Sequence, residues 1–277
     1  MTIDQIIANA LIEDIGDGDH TTLSCIPPHF KGNAKLLVKE SGILAGVTIA
    51  EKIFKTTNSE IKFTGILTDG AEIKNGDIAF YVEGSSASIL TAERLALNFM
   101  QRMSGIATAT HELVSIIKGT NAKILDTRKT TPLLREFEKM AVRIGGGHNH
   151  RFGLYDMILI KDNHIDFAGG IKNAILSAKK YLAENNKDLK IEIEARSLAD
   201  VREILSIGTI DRILLDNFTP ENMKEALVLI DNRFETEASG CITKENIRSF
   251  AETGVDYISL GCITHHINSL DLSLKAV

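Results

Sequence analysis

The chain has 277 residues, of which 44% are hydrophobic and 25% charged, and its formal net charge is −6. This length and composition predict a globular protein with a large core, built as one big domain or two ordinary ones. The acidic balance argues against a general nucleic-acid or acidic-membrane binder, which would need a broad basic face, and favours small anionic ligands at a local cluster of cations.

The cysteines and the first residues predict a compartment. Cys25, Cys241 and Cys262 are odd in number and lack CxxC spacing, so the sequence indicates neither a disulfide framework nor a zinc knuckle. The N-terminal segment carries acids where a signal peptide needs a basic region, and no apolar run approaches the roughly 18 residues of a membrane helix. We expect a cytoplasmic protein.

The first hundred residues predict a mixed α/β region with short, locally connected antiparallel strands. Helical periodicity and strand-like runs alternate at residues 3–11, 35–40, 47–54 and 78–83. A long helical region then extends from Ser88 to Lys118, and we expect it to be interrupted near Gly105, because glycine is a poor helix former.

From about Thr108 the pattern becomes a βα series. Helical segments alternate with the short apolar runs KILDT, MILIK, KIEIEA, RILLDN, ETEAS and YISLGC. About six parallel strands are too few for a complete eight-stranded barrel, so an incomplete barrel and an open doubly wound sheet are both compatible with the pattern. In either architecture the ligand lies at the carboxyl ends of the strands.

Cations are concentrated between residues 126 and 165. This stretch holds seven Lys or Arg against five Asp or Glu, within a chain that is acidic overall. Arg128 and Lys129 follow the run KILDT directly, and Lys161 ends the run MILIK. Guanidinium groups match carboxylates bidentately and lysine supplies a point charge, so these residues and Arg151 predict a site for a multiply charged anion.

The glycine run at 145–147 precedes a His-x-His pair, His148 and His150. The glycines fit a helix C-cap and turn, or a close approach of the backbone to a ligand. With Asp216 and a further histidine the pair could bind zinc in a barrel hydrolase, but it does not end an apolar strand. Because His150 is next to Arg151, we favour carboxylate recognition.

Acids in two of the predicted strands form a second candidate cluster. Glu192 and Glu194 are two residues apart and therefore face the same side of one strand. With Asp216 at the end of RILLDN they could gather a magnesium ion, directly or through water, or they could form internal salt bridges.

Small residues end the last two predicted strands. The turns Ser239-Gly240-Cys241 and Gly261-Cys262-Ile263 could bind a phosphate through backbone N–H groups, or they could be ordinary βα turns.

Several of these motifs together resemble the quinolinate phosphoribosyltransferase family along nearly the whole chain. They are EDIGDGDHTT, AERLALNFMQRMSGIAT, DTRKTTP, GGGHNHRFGL, LIKDNHI, ILLDNF, the ASG turn and GCITH. The resemblance implies an α/β protein with an N-terminal α/β sandwich domain at 1–107, joined by the C-terminal tail 267–277, and an incomplete parallel α/β barrel at 108–266. It also implies a homodimer in which the N-terminal domain of one subunit covers the barrel mouth of the other, with hexamers left open.

The resemblance also implies roles for individual residues. Catalysis would involve Lys129, Lys161, Glu194 and Asp216, and the last two would bind Mg2+, through water or directly. Arg94 would reach into the neighbouring subunit's site. The remaining substrate-binding positions are Thr127, Arg128, His150, Arg151, Ser239, Gly240, Cys241, Gly261, Cys262 and Ile263.

The implied reaction converts quinolinate and phosphoribosyl pyrophosphate to nicotinate mononucleotide, pyrophosphate and carbon dioxide, a step of de novo NAD biosynthesis that needs no organic cofactor. Three alternatives stay open: the molybdenum-transport-associated branch of the same fold, a Schiff-base lyase that uses Lys161 or Lys129, and a non-catalytic sensor of small ligands. The run KDNHI favours the quinolinate branch.

Three positions depart from the family's usual pattern. Leu133 and Cys241 stand where the family often has glycine, and Ala195-Arg196 follows the acidic strand where valine or an acid is frequent. None of these departures removes a charged group from the predicted site.

Overall fold

The computed structural model describes all 277 residues and divides into two compact units. The first unit comprises residues 1–111, 130–146 and 262–277, and the second comprises residues 112–129 and 147–261. The elements up to residue 116 are α1 Ile3–Ile15, α2 His20–Cys25, β1 Lys31–Val38, β2 Gly42–Ile43, α3 Val47–Thr57, β3 Lys62–Gly65, β4 Glu72–Ile73, β5 Ile78–Ser85 and α4 Ser86–Ile116.

The remaining elements begin with the first strand of the βα series. They are β6 Lys123–Leu125, α5 Arg135–Ile144, β7 Ile158–Ile160, α6 Asp162–Ala168, α7 Ile171–Glu184, β8 Ile191–Ala195, α8 Leu198–Ile207, β9 Arg212–Asp216, α9 Pro220–Ile230, β10 Glu235–Ser239, α10 Ile247–Ala251, β11 Tyr257–Ser259, α11 Cys262–His265 and β12 Leu272–Ala276. None of the helices combines the length and the apolar composition needed to cross a membrane.

The first unit is built on a four-stranded antiparallel sheet in the order β12-β1-β5-β3. Along β1 the side chains of Ala34, Leu36 and Val38 are buried and their neighbours are more exposed, which is the alternation of a strand with one face on a core. Helix α3 buries Ile49, Ala50, Ile53 and Phe54 in the same unit. The predicted antiparallel α/β sandwich is confirmed.

Helix α4 runs without a break from Ser86 to Ile116, so the expected interruption near Gly105 is wrong. Gly105 allows a close approach instead. A Cβ atom at this position would overlap the carbonyl oxygen of Asn268, so only glycine lets the C-terminal segment lie against the helix. The packing gained there outweighs the low helix propensity of one glycine, which costs about 1 kcal/mol.

The second unit is an incomplete barrel of six parallel strands in the order β6-β11-β10-β9-β8-β7. All six predicted strands are present. The first of them, β6, pairs with the last, β11, so the sheet curves round on itself, but β6 and β7 are not paired. On its open side β6 forms a single parallel bridge from Leu125 to His148. The residues that follow His148 therefore start at this gap, at the carboxyl end of β6.

Candidate active site

The carboxyl ends of the barrel strands line a cavity of about 290 Å³ within the second unit. Its walls combine cations, acids and hydroxyl groups with two leucines. The lining residues are Thr127, Arg128, Lys129, His150, Arg151, Leu159, Lys161, Glu194, Leu214, Glu237, Ser239 and Ser259. Eight of these twelve positions are among the predicted site residues.

The four cations reach the cavity from three neighbouring segments. Arg128 and Lys129 are exposed in the turn after β6, where the Lys129 N–H donates to the Thr127 hydroxyl at 3.0 Å. The Arg151 guanidinium donates to the Met157 carbonyl at 3.1 Å, which fixes its direction. Burial and the nearby Arg128 both lower the pKa of Arg151. Positive charge is thus concentrated where solvent is partly excluded. A bound anion would reduce the repulsion between these cations.

Lys161 and Glu194 form an ion pair at the carboxyl ends of β7 and β8. The Lys161 ammonium lies 3.0 Å from Glu194 Oε1, and the Asp162 N–H donates to Glu194 Oε2 at 3.0 Å. The Glu194 side chain is 9% exposed and that of Lys161 is 47% exposed. The carboxylate is therefore a fixed group of the barrel, whereas the lysine can turn towards a ligand.

The backbone N–H and both ring nitrogens of His150 lie against other groups of the protein. Its N–H donates to Asp126 Oδ1 at 2.8 Å, and its ring Nδ1 accepts from the Arg151 N–H at 2.6 Å. Its Nε2 lies 3.0 Å from Glu192 and 3.4 Å from Glu237. Desolvation lowers the pKa of His150, but contact with these two carboxylates outweighs it and raises the value to about 9. The Arg151 N–H opposes a proton on Nδ1 and so works against this shift.

Two buried acids behind His150 have different surroundings. Glu237 accepts from Arg212 at 3.0 Å, and Arg212 also contacts Glu235 at 3.1 Å. Glu192 is fully buried and is in ion-pair contact with His150 alone. Burial and the neighbouring Glu237 raise the pKa of Glu192 to about 7.

The remaining acid of the predicted set, Asp216, ends β9. It accepts from the Asn217 side chain at 2.7 Å, and burial together with the nearby Glu194 raises its pKa. Gly240 follows β10 with φ +88°, and a Cβ atom there would overlap the Asn217 side chain. The turn after β10 therefore packs closely against Asn217, which directly follows Asp216.

Other predicted site residues lie outside the cavity lining. Arg94 is exposed on α4 in the first unit. Cys262 and Ile263 also belong to the first unit, where Cys262 is exposed and Ile263 is buried, so the Ile263 side chain is a core group. Gly261 directly precedes them, at the end of the second unit. Cys241 is exposed after Gly240.

Leu133 and Cys241 both adopt left-handed backbone conformations, with φ of 67° and 51° respectively. Residues with a Cβ atom are disfavoured in this region by roughly 1–2 kcal/mol, whereas glycine enters it freely. The two departures from the expected glycines thus fall where the backbone itself favours glycine.

Sequence reasoning missed four lining residues: Leu159, Leu214, Glu237 and Ser259. Glu237 could have been found, because it is two residues before Ser239 on one strand and therefore shares its face, by the same argument that paired Glu192 with Glu194. The leucines and Ser259 carry no signal that distinguishes them from ordinary strand residues.

Cations and acids thus lie together at the carboxyl ends of the parallel strands, which is where α/β-barrel proteins bind their ligands. The C-terminal domain model of quinolinate phosphoribosyl transferase matches residues 106–275, and the N-terminal domain model matches residues 19–104. The chain belongs to the quinolinate phosphoribosyltransferase family.

Individual relatives match nearly the whole of this chain. The chain is 44% identical over 281 residues to quinolinate phosphoribosyltransferase [decarboxylating] 2a, mitochondrial, of Nicotiana tabacum, covering 96% of this chain and 80% of that one. It is 40% identical to a probable nicotinate-nucleotide pyrophosphorylase [carboxylating] of Bacillus subtilis, covering 99% and 93%. The crystal structure of NadC from Streptococcus pyogenes superposes with a TM-score of 0.93 at 40% identity, covering 99% and 97%.

Proposed function

We propose that this protein transfers the phosphoribosyl group of phosphoribosyl pyrophosphate to the ring nitrogen of quinolinate and releases pyrophosphate and carbon dioxide, forming nicotinate mononucleotide. The observation that carries this proposal is the cavity in which Arg128, Lys129, Arg151 and Lys161 face the acid Glu194. Cations suit the two carboxylates of the pyridine, and an acid suits the ribose that becomes positive during transfer.

Quinolinate is held by Arg128, Arg151 and Lys161, with Thr127 and Lys129 beside it. The Arg151 guanidinium is already oriented by its bond to Met157, so little side-chain freedom is lost when it receives a carboxylate. Leu159 and Leu214 offer apolar surface to the ring. Much of the catalysis is then the placement of the ring nitrogen against the anomeric carbon of the second substrate.

Ribosyl transfer exchanges one bond at the anomeric carbon. The lone pair of the pyridine nitrogen forms the new N–C bond, and the electron pair of the breaking C–O bond leaves with pyrophosphate. Positive charge on the ribose is greatest between these events, and Glu194 and Asp216 stabilise it in a site drier than bulk water. Glu194 is suited to this because Lys161 and the Asp162 N–H hold it in place.

Decarboxylation follows on the nucleotide itself. The quaternary ring nitrogen withdraws electrons, so the bond to the adjacent carboxylate breaks, carbon dioxide leaves, and the electron pair stays on the ring carbon until a proton arrives. No lysine needs to be a nucleophile. Lys161 is held in an ion pair with Glu194 at 3.0 Å, whereas a Schiff-base lyase needs a lysine in an apolar pocket.

Glu194 and Asp216 would hold Mg2+ through water. Both oxygens of Glu194 already accept hydrogen bonds, from Lys161 and from the Asp162 N–H, and one oxygen of Asp216 accepts from Asn217. This fits a hydrated ion with few direct protein ligands, as magnesium prefers. Bound magnesium would neutralise the departing pyrophosphate.

The 5′-phosphate is received by backbone N–H groups of the turns after β10 and β11, at Ser239, Gly240, Cys241 and Gly261. Gly240→Ala is expected to raise the KM for phosphoribosyl pyrophosphate at least about tenfold, because the added methyl group displaces Asn217 and the turn. Steady-state kinetics would test it, with Gly254→Ala as a control. Gly254 also has positive φ but no atom near its Cβ position. An unchanged KM in Gly240→Ala would contradict this role.

The catalytic assembly is a homodimer in which Arg94 of each subunit completes the site of the other, and association into hexamers is a further possibility. The exposed position of Arg94 on α4 supports this shared site.

Mixing inactive Arg94→Ala with inactive Lys161→Ala is expected to restore about a quarter of wild-type activity per total site after random subunit exchange, because half of the dimers regain one competent site. Mixed dimers, separated by differential tags, that stay inactive would refute a shared site.

The activity test is incubation of the purified protein with quinolinate, phosphoribosyl pyrophosphate and magnesium. Nicotinate mononucleotide, pyrophosphate and carbon dioxide are expected in equal amounts. A folded protein that binds both substrates without turnover would indicate a sensor, and one that binds only the ribosyl donor would indicate the molybdenum-associated branch. Borohydride trapping with a carbonyl substrate separates out a Schiff-base lyase.

We also propose a cytoplasmic location. The three cysteines are free, which suits a reducing compartment. Fractionation of the source cells with a cytosolic marker enzyme would test the location.

A further inference from the structure

Glu192 is the buried acid for which the proposed reaction gives no direct use. Its side chain is 0% exposed, and neither of its oxygens accepts a hydrogen bond of good geometry. Its one ion-pair contact is His150 Nε2 at 3.0 Å. The neighbouring Glu237 differs, because Arg212 neutralises it. A buried carboxylate is costly, so its presence beside a single imidazole requires an explanation.

His150 connects this acid to a cation of the cavity. Its Nε2 faces Glu192, and its Nδ1 accepts from the Arg151 N–H at 2.6 Å. Both ring nitrogens are therefore engaged within the protein. Because Nδ1 accepts a hydrogen bond, the proton of the neutral ring is on Nε2, which faces the Glu192 carboxylate.

We propose that Glu192 is a positioning residue, which holds the His150 ring so that the ring in turn holds the Arg151 backbone beside the pyridine dicarboxylate. This rests on the proposed function, because it concerns quinolinate. It also changes the role expected of His150, from a direct ligand of a carboxylate to a support for the arginine that binds one.

The position of His150 explains why the group that holds its ring comes from the interior of the barrel. The His150 segment lies on the open side of β6, where His148 forms a single bridge to Leu125 and no strand continues the pairing. Asp126 anchors its backbone, and Glu192 anchors its ring from β8, across the sheet. A glutamate two residues before the cavity-lining Glu194 has the right face and the greater depth to do this.

The experiment is calorimetric titration of quinolinate into the intact protein and its variants. Glu192→Leu fills the space without an acceptor, and Glu192→Gln keeps an oxygen acceptor without the charge. We expect Glu192→Leu to raise the Kd for quinolinate about tenfold, because the His150 ring loses its ion-pair contact, and Glu192→Gln to raise it no more than about threefold, because an oxygen still faces Nε2. Affinity for phosphoribosyl pyrophosphate should change less than about twofold in both.

A double-mutant cycle tests whether the effect passes through His150. In a His150→Ala background, Glu192→Leu is expected to change the Kd for quinolinate less than about twofold. A full tenfold effect in that background, or an unchanged Kd in Glu192→Leu alone, would overturn the proposal. So would equal losses of affinity for both substrates, which a general distortion of the barrel would produce.

Glu192→Leu keeps a side chain of similar volume but removes one partner of a buried ion pair, so it is expected to lower stability, and the folding of each variant is checked by circular dichroism before titration. If Glu192→Leu does not fold, Glu192→Met in the same cycle gives the same decision. A wild-type protein that does not bind quinolinate would sink the proposed function, whereas wild-type binding with an unaffected Glu192→Leu sinks the positioning role alone.

Discussion

Lys161→Ala is expected to lower kcat/KM for quinolinate by about 10²–10³-fold. Lys161 supplies one of the positive charges of the cavity, and its ammonium also neutralises Glu194, which is 9% exposed. Truncation therefore removes the proposed contact with quinolinate and leaves a largely buried carboxylate without its counter-ion. Losing one partner of a desolvated charge pair costs about 2–5 kcal/mol, and each 1.36 kcal/mol is a factor of ten in rate. Steady-state kinetics with both substrates would measure the loss.

The matched control is Lys180→Ala. Lys180 is exposed on α7 and pairs loosely with Glu184 at 3.7 Å, four residues on. Surface pairs of this kind contribute little, so kcat/KM should stay within about twofold of wild type. A Lys161→Ala enzyme within tenfold of wild type would contradict the place of Lys161 in the mechanism.

Glu138→Ala is expected to lower the free energy of unfolding by about 3–5 kcal/mol. Glu138 is 1% exposed in the first unit and accepts from Arg102 Nη2 at 2.6 Å and from Arg102 Nε at 2.8 Å. It also accepts from the Thr131 N–H at 3.2 Å. Its removal would leave a half-buried guanidinium and a backbone donor without a buried acceptor. Urea unfolding, followed by circular dichroism, would measure the change.

Glu83→Ala is the control for this second variant. Glu83 also belongs to the first unit and contacts Lys62 at 3.6 Å, but both side chains are more than 60% exposed. Its loss should change stability by less than about 1 kcal/mol. A Glu138→Ala change of similar size would mean that the buried network contributes no more than a surface pair.

Local pattern was sufficient to predict the six strands of the barrel. The six runs of the βα series are short and alternate with segments of helical periodicity, and each predicted one strand correctly. The pattern could not choose between a barrel and an open sheet. That choice depends on the pairing of β6 with β11, which joins residues more than 130 positions apart.

Gly105 shows where local reasoning failed. Intrinsic propensity predicted a break, but the helix continues, because the glycine makes room for the carbonyl of Asn268. Gly105 and Asn268 are more than 160 residues apart in the chain, so the sequence around Gly105 carries no sign of their contact. Tertiary packing therefore decided the outcome.

The sequence predicted part of the candidate site, as it did part of the fold. Residues at strand ends, such as Lys161 and Glu194, were found because the architecture sends them to one edge. The relation of Glu192 to His150 was not, since it depends on a loop that crosses from β6 towards β8. Residue type and spacing indicate which side chains share a face, but not which buried group each one meets.

The division of the first unit into three chain segments affects the order in which the protein can fold as it is synthesised. Strand β1 lies between β5 and β12, yet β12 follows every strand of the barrel in the chain. Until residues 272–276 leave the ribosome, β1 has an unpaired edge flanked by buried Ala34, Leu36 and Val38. Such an edge can pair with another chain. The nascent protein therefore carries an aggregation-prone edge while its second unit is translated, and early shielding by a chaperone would benefit its yield.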